Sequence, residues 1–215
     1  MATTAATRLE ARKQPRQARS QATVDVIFEA TLQVLLAGGA TRLTTTRVAE
    51  RAGVSVGTLY QYYPHKQALL YAVLERHLLR VGTAVGAAAQ AAHGKPLAAM
   101  VGDVVQAFVR AKTERVDESR ALYAVAGELD TAGLVQSVEK QGRRVVAAML
   151  ATAPDARFDQ PDITAWMFTA ALIGPTRNVL ESGAPPRMVR ALPQQLLSLC
   201  LGYLEREARR PQSAS

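Results

Sequence analysis

Two segments too short to be ordinary helices, each closed by its own stop signal, constrain this chain more than anything else in it. Between Gly38-Gly39 and Pro64 the sequence fits a very short helix ending at Ala52-Gly53, a turn Gly53-Val54-Ser55, and an equally short helix from Val56 to Tyr63. Thr44 and Thr45 offer hydroxyls to the free amides that open the first. Pro64, which has no N–H, cannot continue the second. Two short helices joined by a glycine-bearing turn form a helix-turn-helix. Val48, Ala49, Val54 and Leu59 are the expected miniature core that fixes their crossing. That leaves Val56, Gly57, Thr58, Gln61 and Tyr62 facing outwards on the second helix, where a recognition helix meets base edges.

The rest of the chain reads as helix. Val24, Ile27, Phe28, Leu32 and Leu35 recur at helical spacing from Ser20 to Ala37, with Gly38-Gly39 as the stop. A long helix should run from His65 or Lys66 towards His93, carrying Leu69, Leu70, Val73, Leu74, Leu78 and Val81, then a run of small residues before Gly94 and Pro96. Leu97, Met100, Val101, Val104, Val105, Phe108 and Val109 follow the i, i+3, i+4 pattern closely. A more irregular stretch, Glu114 to Leu129, precedes a helix with Leu134, Val135, Val138, Val145, Met149 and Leu150, which Pro154 ends. Two last helices, about Asp162 to Ser182 and Arg187 to Arg209, flank Gly183-Ala184-Pro185-Pro186. No strand pattern and no fixed-period repeat appears. Hydrophobic residues make up 48% of the 215 and aromatics only 5%, with Ala prominent, which favours close-packed helices. The expected fold is all-α, with about nine helices.

The net charge of +8 suits a polyanionic partner. Arg8, Arg12, Lys13, Arg16 and Arg19 face a single Glu10 in residues 1–19, a basic arm that either contacts phosphates or the minor groove or is a plain solvated tail. No apolar stretch approaches the roughly 20 uncharged residues of a membrane span. Residues 1–19 lack the apolar run of a signal peptide, so a cytoplasmic protein with no membrane partner is expected. Cys200, the single cysteine, reads as a buried structural thiol. His65, His77 and His93 have no partner at metal-site spacing. Asp117-Glu118 and Glu128-Asp130 read as helix-end charges rather than an acid–base pair. With no phosphate loop, nucleophile elbow or triad, neither an enzyme nor a cofactor is expected.

The segments Thr-x-x-x-Val-Ala-x-x-Ala-Gly-Val-Ser (44–55) and Gly-Thr-Leu-Tyr-x-Tyr-Tyr-x-x-Lys-x-x-Leu-Leu (57–70), placed after an amphipathic helix ending in Gly38-Gly39, closely resemble the tetracycline-repressor (TetR) family over roughly Ala18 to Val73. The resemblance implies an N-terminal three-helix DNA-binding domain and a C-terminal helical ligand-binding and dimerisation domain. The corresponding boundaries are a basic arm 1–19, a helix-turn-helix domain 20–64, a helical domain 65–208 and a tail 209–215. Carried over residue by residue, it implies that Thr45 and Thr46, assisted by Arg47, touch the DNA backbone and that Ser55 caps the recognition helix. Val56, Gly57, Thr58, Gln61 and Tyr62 would lie in the groove, with Tyr60 and Lys66 on phosphates. His65 and Gln67 depart from the pattern, because the family has Ser or Asn and an acidic residue there. Tyr63 is expected to pack against the first and fourth helices.

In the C-terminal part the resemblance rests on length and helix layout alone. It implies a chamber for a small effector, for which Phe108, Tyr123, Met149, Trp166 and Met167 are the candidate lining residues, against ordinary core packing as the competing reading. Tyr123, Gln141 or Asn178 would orient a neutral, lipophilic ligand. Thr169, Leu172, Leu192, Leu196, Leu199 and Tyr203 are the candidates for a two-fold four-helix homodimer interface, against packing within the subunit. The implied function is a regulator, most simply a repressor, that binds palindromic double-stranded operator DNA as a dimer and is released by a mostly apolar effector. The alternatives are control by a protein partner or by concentration alone, and activation instead of repression.

Overall fold

The computed structural model describes residues 18–127 and 129–209. Among them are nine helices: α1 (Ala18–Arg42), α2 (Thr45–Ala52), α3 (Val56–Tyr62), α4 (Lys66–Ala92), α5 (Leu97–Thr113), α6 (Val116–Ala126), α7 (Ala132–Leu150), α8 (Pro161–Glu181) and α9 (Pro186–Glu207). No strand occurs among the described residues, only an isolated antiparallel bridge between Arg157 and Arg209. The expected basic arm lies almost wholly outside the described residues.

The chain divides into two compact units. One comprises residues up to His77 together with Ala121–Thr131, and the other Leu78–Arg120 with the residues from Ala132 onwards. The division thus falls inside α4 rather than at 64/65, because Ala68, Leu69, Leu70, Val73 and Leu74 in its first turns are buried side chains of the first unit.

In the first unit, α1 buries Val24, Ile27, Phe28, Leu32 and Leu35, its predicted apolar face. Gly39, at φ 68°, breaks the helical geometry near its end, so the Gly38-Gly39 stop is real although helix resumes for one more turn. α1 is long and apolar enough to cross a membrane by length and composition, contrary to the expectation that no segment is. These buried apolar side chains and the 2.5 Å ion pair from Asp25 to Arg76 of α4 account for that composition as helix-turn-helix core. α2 packs on α1 and on α3. Val48, Ala49 and Leu59 are buried as expected, while Val54 is half-buried.

In the second unit one cluster joins α5, α7, α8 and α9 through Met100, Val104, Phe108, Met149, Phe168 and Leu196. The small residues of α4 allow close approach: a Cβ on Gly82 would sit 3.8 Å from Val138 of α7. The start of α5 takes its cap from a distance, Asp155 Oδ1 accepting from Leu97 N–H at 2.9 Å. α8 and α9 run through Pro175 and Pro193, each at the cost of one backbone hydrogen bond.

Candidate nucleic-acid interface

The helix-turn-helix is pinned at both of its helix starts. Thr44 Oγ1 accepts from Arg47 N–H at 3.2 Å and Ser55 Oγ from Thr58 N–H at 2.9 Å, which satisfies amides that α2 and α3 cannot bond internally. Gly53, at φ 67°, closes α2, its N–H reaching the carbonyls of Ala49 and Glu50. Thr45 Oγ1 lies 3.1 Å from the Tyr60 hydroxyl, so two side chains fifteen positions apart form one polar edge across α2 and α3. Thr46, Arg47, Ser55, Gly57, Tyr60 and Gln61 are exposed, and Thr45, Val56, Thr58 and Lys66 are half-buried.

His65 caps α4: its Nδ1 accepts from Ala68 N–H at 3.1 Å. The departure from the usual Ser or Asn therefore leaves the helix start in place, with an imidazole nitrogen doing what a hydroxyl does elsewhere. Lys66 Nζ donates to Ala40 O at 3.2 Å, which anchors the ammonium beside the turn that enters α2.

Tyr62 is the correction at this face. Expected in the groove, it is buried, and its hydroxyl lies 2.9 Å from Ser20 Oγ of α1. In a helix of two turns, positions 59 and 62 share one side, and Leu59 fixes that side as the inward one. Tyr63 packs as expected, its ring 5.7 Å from that of Phe28, and burial pushes its phenol far above the usual range. The Arg76 guanidinium lies 4.3 Å over the other ring, Phe28.

The candidate effector residues divide. Phe108 and Met149 are buried together in the core of the second unit, whereas Tyr123, half-buried, belongs to the first. Trp166 and Met167 point outwards, 61% and 49% exposed, with the Arg143 guanidinium 4.8 Å from the centre of the indole ring. Of the run Trp166-Met167-Phe168 only Phe168 shares a face with the buried Ala165 and Leu172, so the neighbours turn away. Phe168 is the inward aromatic of this helix, in the place expected for Trp166 and Met167. The second unit also holds a polar cluster that no sequence pattern announced. Lys112 on α5 is buried, and burial, with Arg80 adding to it, lowers its pKa to about 8. Glu118, also buried, takes Arg80 at 3.3 Å and Arg115 at 3.0 Å.

The candidate dimer residues divide for the same reason. Leu172, Leu192 and Leu196 are buried within the subunit, and Thr169 turns its hydroxyl 2.7 Å onto Ala165 O of its own helix. Leu199 is 50% exposed and Tyr203 half-buried. The buried stripe of α9 is Leu192, Leu196, Cys200 and Leu204, and Cys200 is inert there, its thiol pushed up to about 12 by burial. The outward faces of α8 and α9 carry Ile163, Trp166, Met167, Met188 and Leu199, all exposed.

The sequence matches the tetracyclin repressor-like C-terminal domain over residues 96–204 and the tetR family of bacterial regulatory proteins over residues 27–73. It is 38% identical over 114 residues to the HTH-type transcriptional repressor KstR of Mycolicibacterium smegmatis, covering 50% of this chain and 55% of that one. Against KstR of Mycobacterium tuberculosis the identity is 34% over 116 residues, covering 53% and 52%. The chain thus spans about half the length of the curated relatives it matches. Among solved structures, SmeT, the repressor of the Stenotrophomonas maltophilia multidrug efflux pump SmeDEF, shares the fold at a TM-score of 0.66 and 17% identity, covering 90% of this chain and 93% of that one. The fatty acid degradation regulator FadR of Bacillus halodurans does so at 0.65 and 16%, covering 83% and 97%. With more than half of the sequence matched by the C-terminal domain and the helix-turn-helix matched separately, the chain belongs to the TetR family of bacterial transcriptional regulators.

Proposed function

We propose that this protein is a cytoplasmic repressor that binds a two-fold symmetric DNA site as a homodimer, reads it with α3, and lets go when a small, mostly apolar molecule occupies its C-terminal unit. The observation that carries the DNA reading is the capped α3 with Gly57, Thr58, Tyr60 and Gln61 turned away from a buried Leu59 and Tyr62. Gln61 has the amide geometry to pair bidentately with adenine, while Thr45, Thr46, Arg47, Tyr60 and Lys66 supply hydroxyls and charge for phosphates. Repression as the outcome is supported by the two KstR relatives, which are repressors.

The homodimer is supported by the apolar residues that α8 and α9 leave in water. Trp166, Met167 and Leu199 belong under a second copy, since exposed apolar patches of this kind mark interaction surfaces. The effector is supported by the apolar character of the core around Phe108, Met149 and Phe168. α4 contributes residues to both units and is the element through which occupancy in one would bias the other.

Selection of bound sites from a random duplex pool tests the DNA reading, with the native protein, Gln61→Ala and Lys66→Ala in parallel. The native protein should enrich a two-fold symmetric site, Gln61→Ala should relax one symmetric pair of positions, and Lys66→Ala should weaken all sequences alike. A pool that stays random with the native protein would overturn the reading.

A further inference from the structure

On the first unit, α1 and α2 enclose a groove of about 310 Å³ lined by Gln33, Val34, Ala37, Gly38, Arg42, Arg47 and Arg51. Three arginine side chains thus line one concavity. No ion pair engages any of the three among the described residues, because the partners they have are neutral: Arg51 Nε donates to Gln33 Oε1 at 2.6 Å, and Arg47 Nη1 to Arg42 O at 3.1 Å. Both contacts hold a side chain in place without cancelling its charge. Gly38 helps to place the third. A Cβ there would stand 2.9 Å from Arg42 Cβ and 3.1 Å from Arg42 Cδ, so the stem of Arg42 lies over α1 only because position 38 is bare. Lys66, bonded to Ala40 O, adds a fourth cation at the same turn.

We propose that this groove seats a backbone phosphate of duplex DNA beyond the base pairs that α3 reads, making the α1–α2 side a second anchoring site with Arg42 and Arg51 as its principal cations. The inference rests on the operator-binding reading above. Arg47 in its lining is the residue whose N–H the α2 cap Thr44 accepts from, and guanidinium forks match the paired oxygens of a phosphodiester. Val34 and Ala37 give it a floor without competing acceptors. Such a site adds affinity and orientation but no base preference.

The test is the salt dependence of binding for native protein, Arg51→Gln, Arg42→Gln/Arg51→Gln and Arg51→Lys, each on the selected site and on a random-sequence duplex, with helix content checked by circular dichroism. On both duplexes the slope of log K against log salt should flatten by about 0.9 for each phosphate that the variant no longer neutralises, with the selected sequence unchanged. Arg51→Lys should keep the native slope. Gly38→Ala, with all cations present, should weaken binding because it displaces Arg42. Native slopes in the folded double variant would overturn the proposal while leaving operator binding intact, as would a loss of sequence preference at unchanged slope. A native protein that binds both duplexes equally would instead remove the operator reading, and one that binds neither would remove both.

Discussion

Gly57 separates what the fold needs from what a partner needs. A Cβ at this position would meet nothing closer than Ser55 Oγ at 3.7 Å, an ordinary contact, so the protein itself does not require glycine there. Gly57→Ala should therefore fold and gain up to about 1 kcal/mol of stability from helix propensity. In gel shift it should nevertheless lose operator affinity, because a methyl group would stand where α3 approaches the bases. Undiminished affinity would move the groove contact elsewhere on α3. Lys112 offers a separate test in pH. Its folded pKa, about 8, lies below the ordinary 10.5, so between those values the unfolded chain binds more protons and stability rises with pH. From pH 8 to pH 10 the native protein should gain on Lys112→Met by about 1.4 kcal/mol per pH unit at most, measured by urea denaturation. Parallel curves would show that Lys112 keeps its proton in the fold. Lys112 was invisible to pattern reading because one long aliphatic stem among Val, Ala and Phe on α5 does not disturb the helical period.

Where an element is held by its own neighbours in sequence, its limits were legible. The caps at Thr44, Ser55 and Gly53 and the break at Gly39 involve residues within a turn or two of one another, and all sit where local chemistry puts them. The cap that Asp155 gives α5 spans 58 positions, and no local signal announces it. Face assignment failed where apolar residues exceed what one face can hold. Trp166, Met167 and Phe168 cannot all point inwards, and in α9 a stripe drawn through Leu192, Leu196, Leu199 and Tyr203 mixes the buried side with the outer one. The outer face has its own consequence. Trp166→Glu/Leu199→Glu should fold, since both side chains lie in water in the single chain, yet sediment as a monomer. A dimer in that variant would locate the interface away from α8 and α9. Gly39→Ala tests α1 in the same way: at φ 68° a side chain is strained by about 1 kcal/mol or more, which should appear as a lower midpoint in thermal unfolding.

At the scale of the whole molecule, the proposed function needs two copies acting on one duplex. A single α3 of seven residues offers few base contacts, and in the proposed dimer two copies would read two half-sites at once. The resemblance visible in residues 18–73 already pointed to this arrangement, whereas nothing in a single sequence says which apolar side chains meet a second copy and which fill the core. Within the single chain, burial is what separates Leu192 and Leu196 from Leu199. The most direct test is geometric. Two α3 helices on one face of B-DNA stand about 34–36 Å apart, a full helical turn. Affinity should be measured by anisotropy on the selected duplex and on versions with about five or about ten base pairs inserted at its centre. The largest loss is expected for the half-turn insertion, which puts the second half-site on the opposite face, together with the flattest salt dependence for that duplex. Equal affinity for all three would mean that each copy binds alone, and would contradict the dimeric reading of the site.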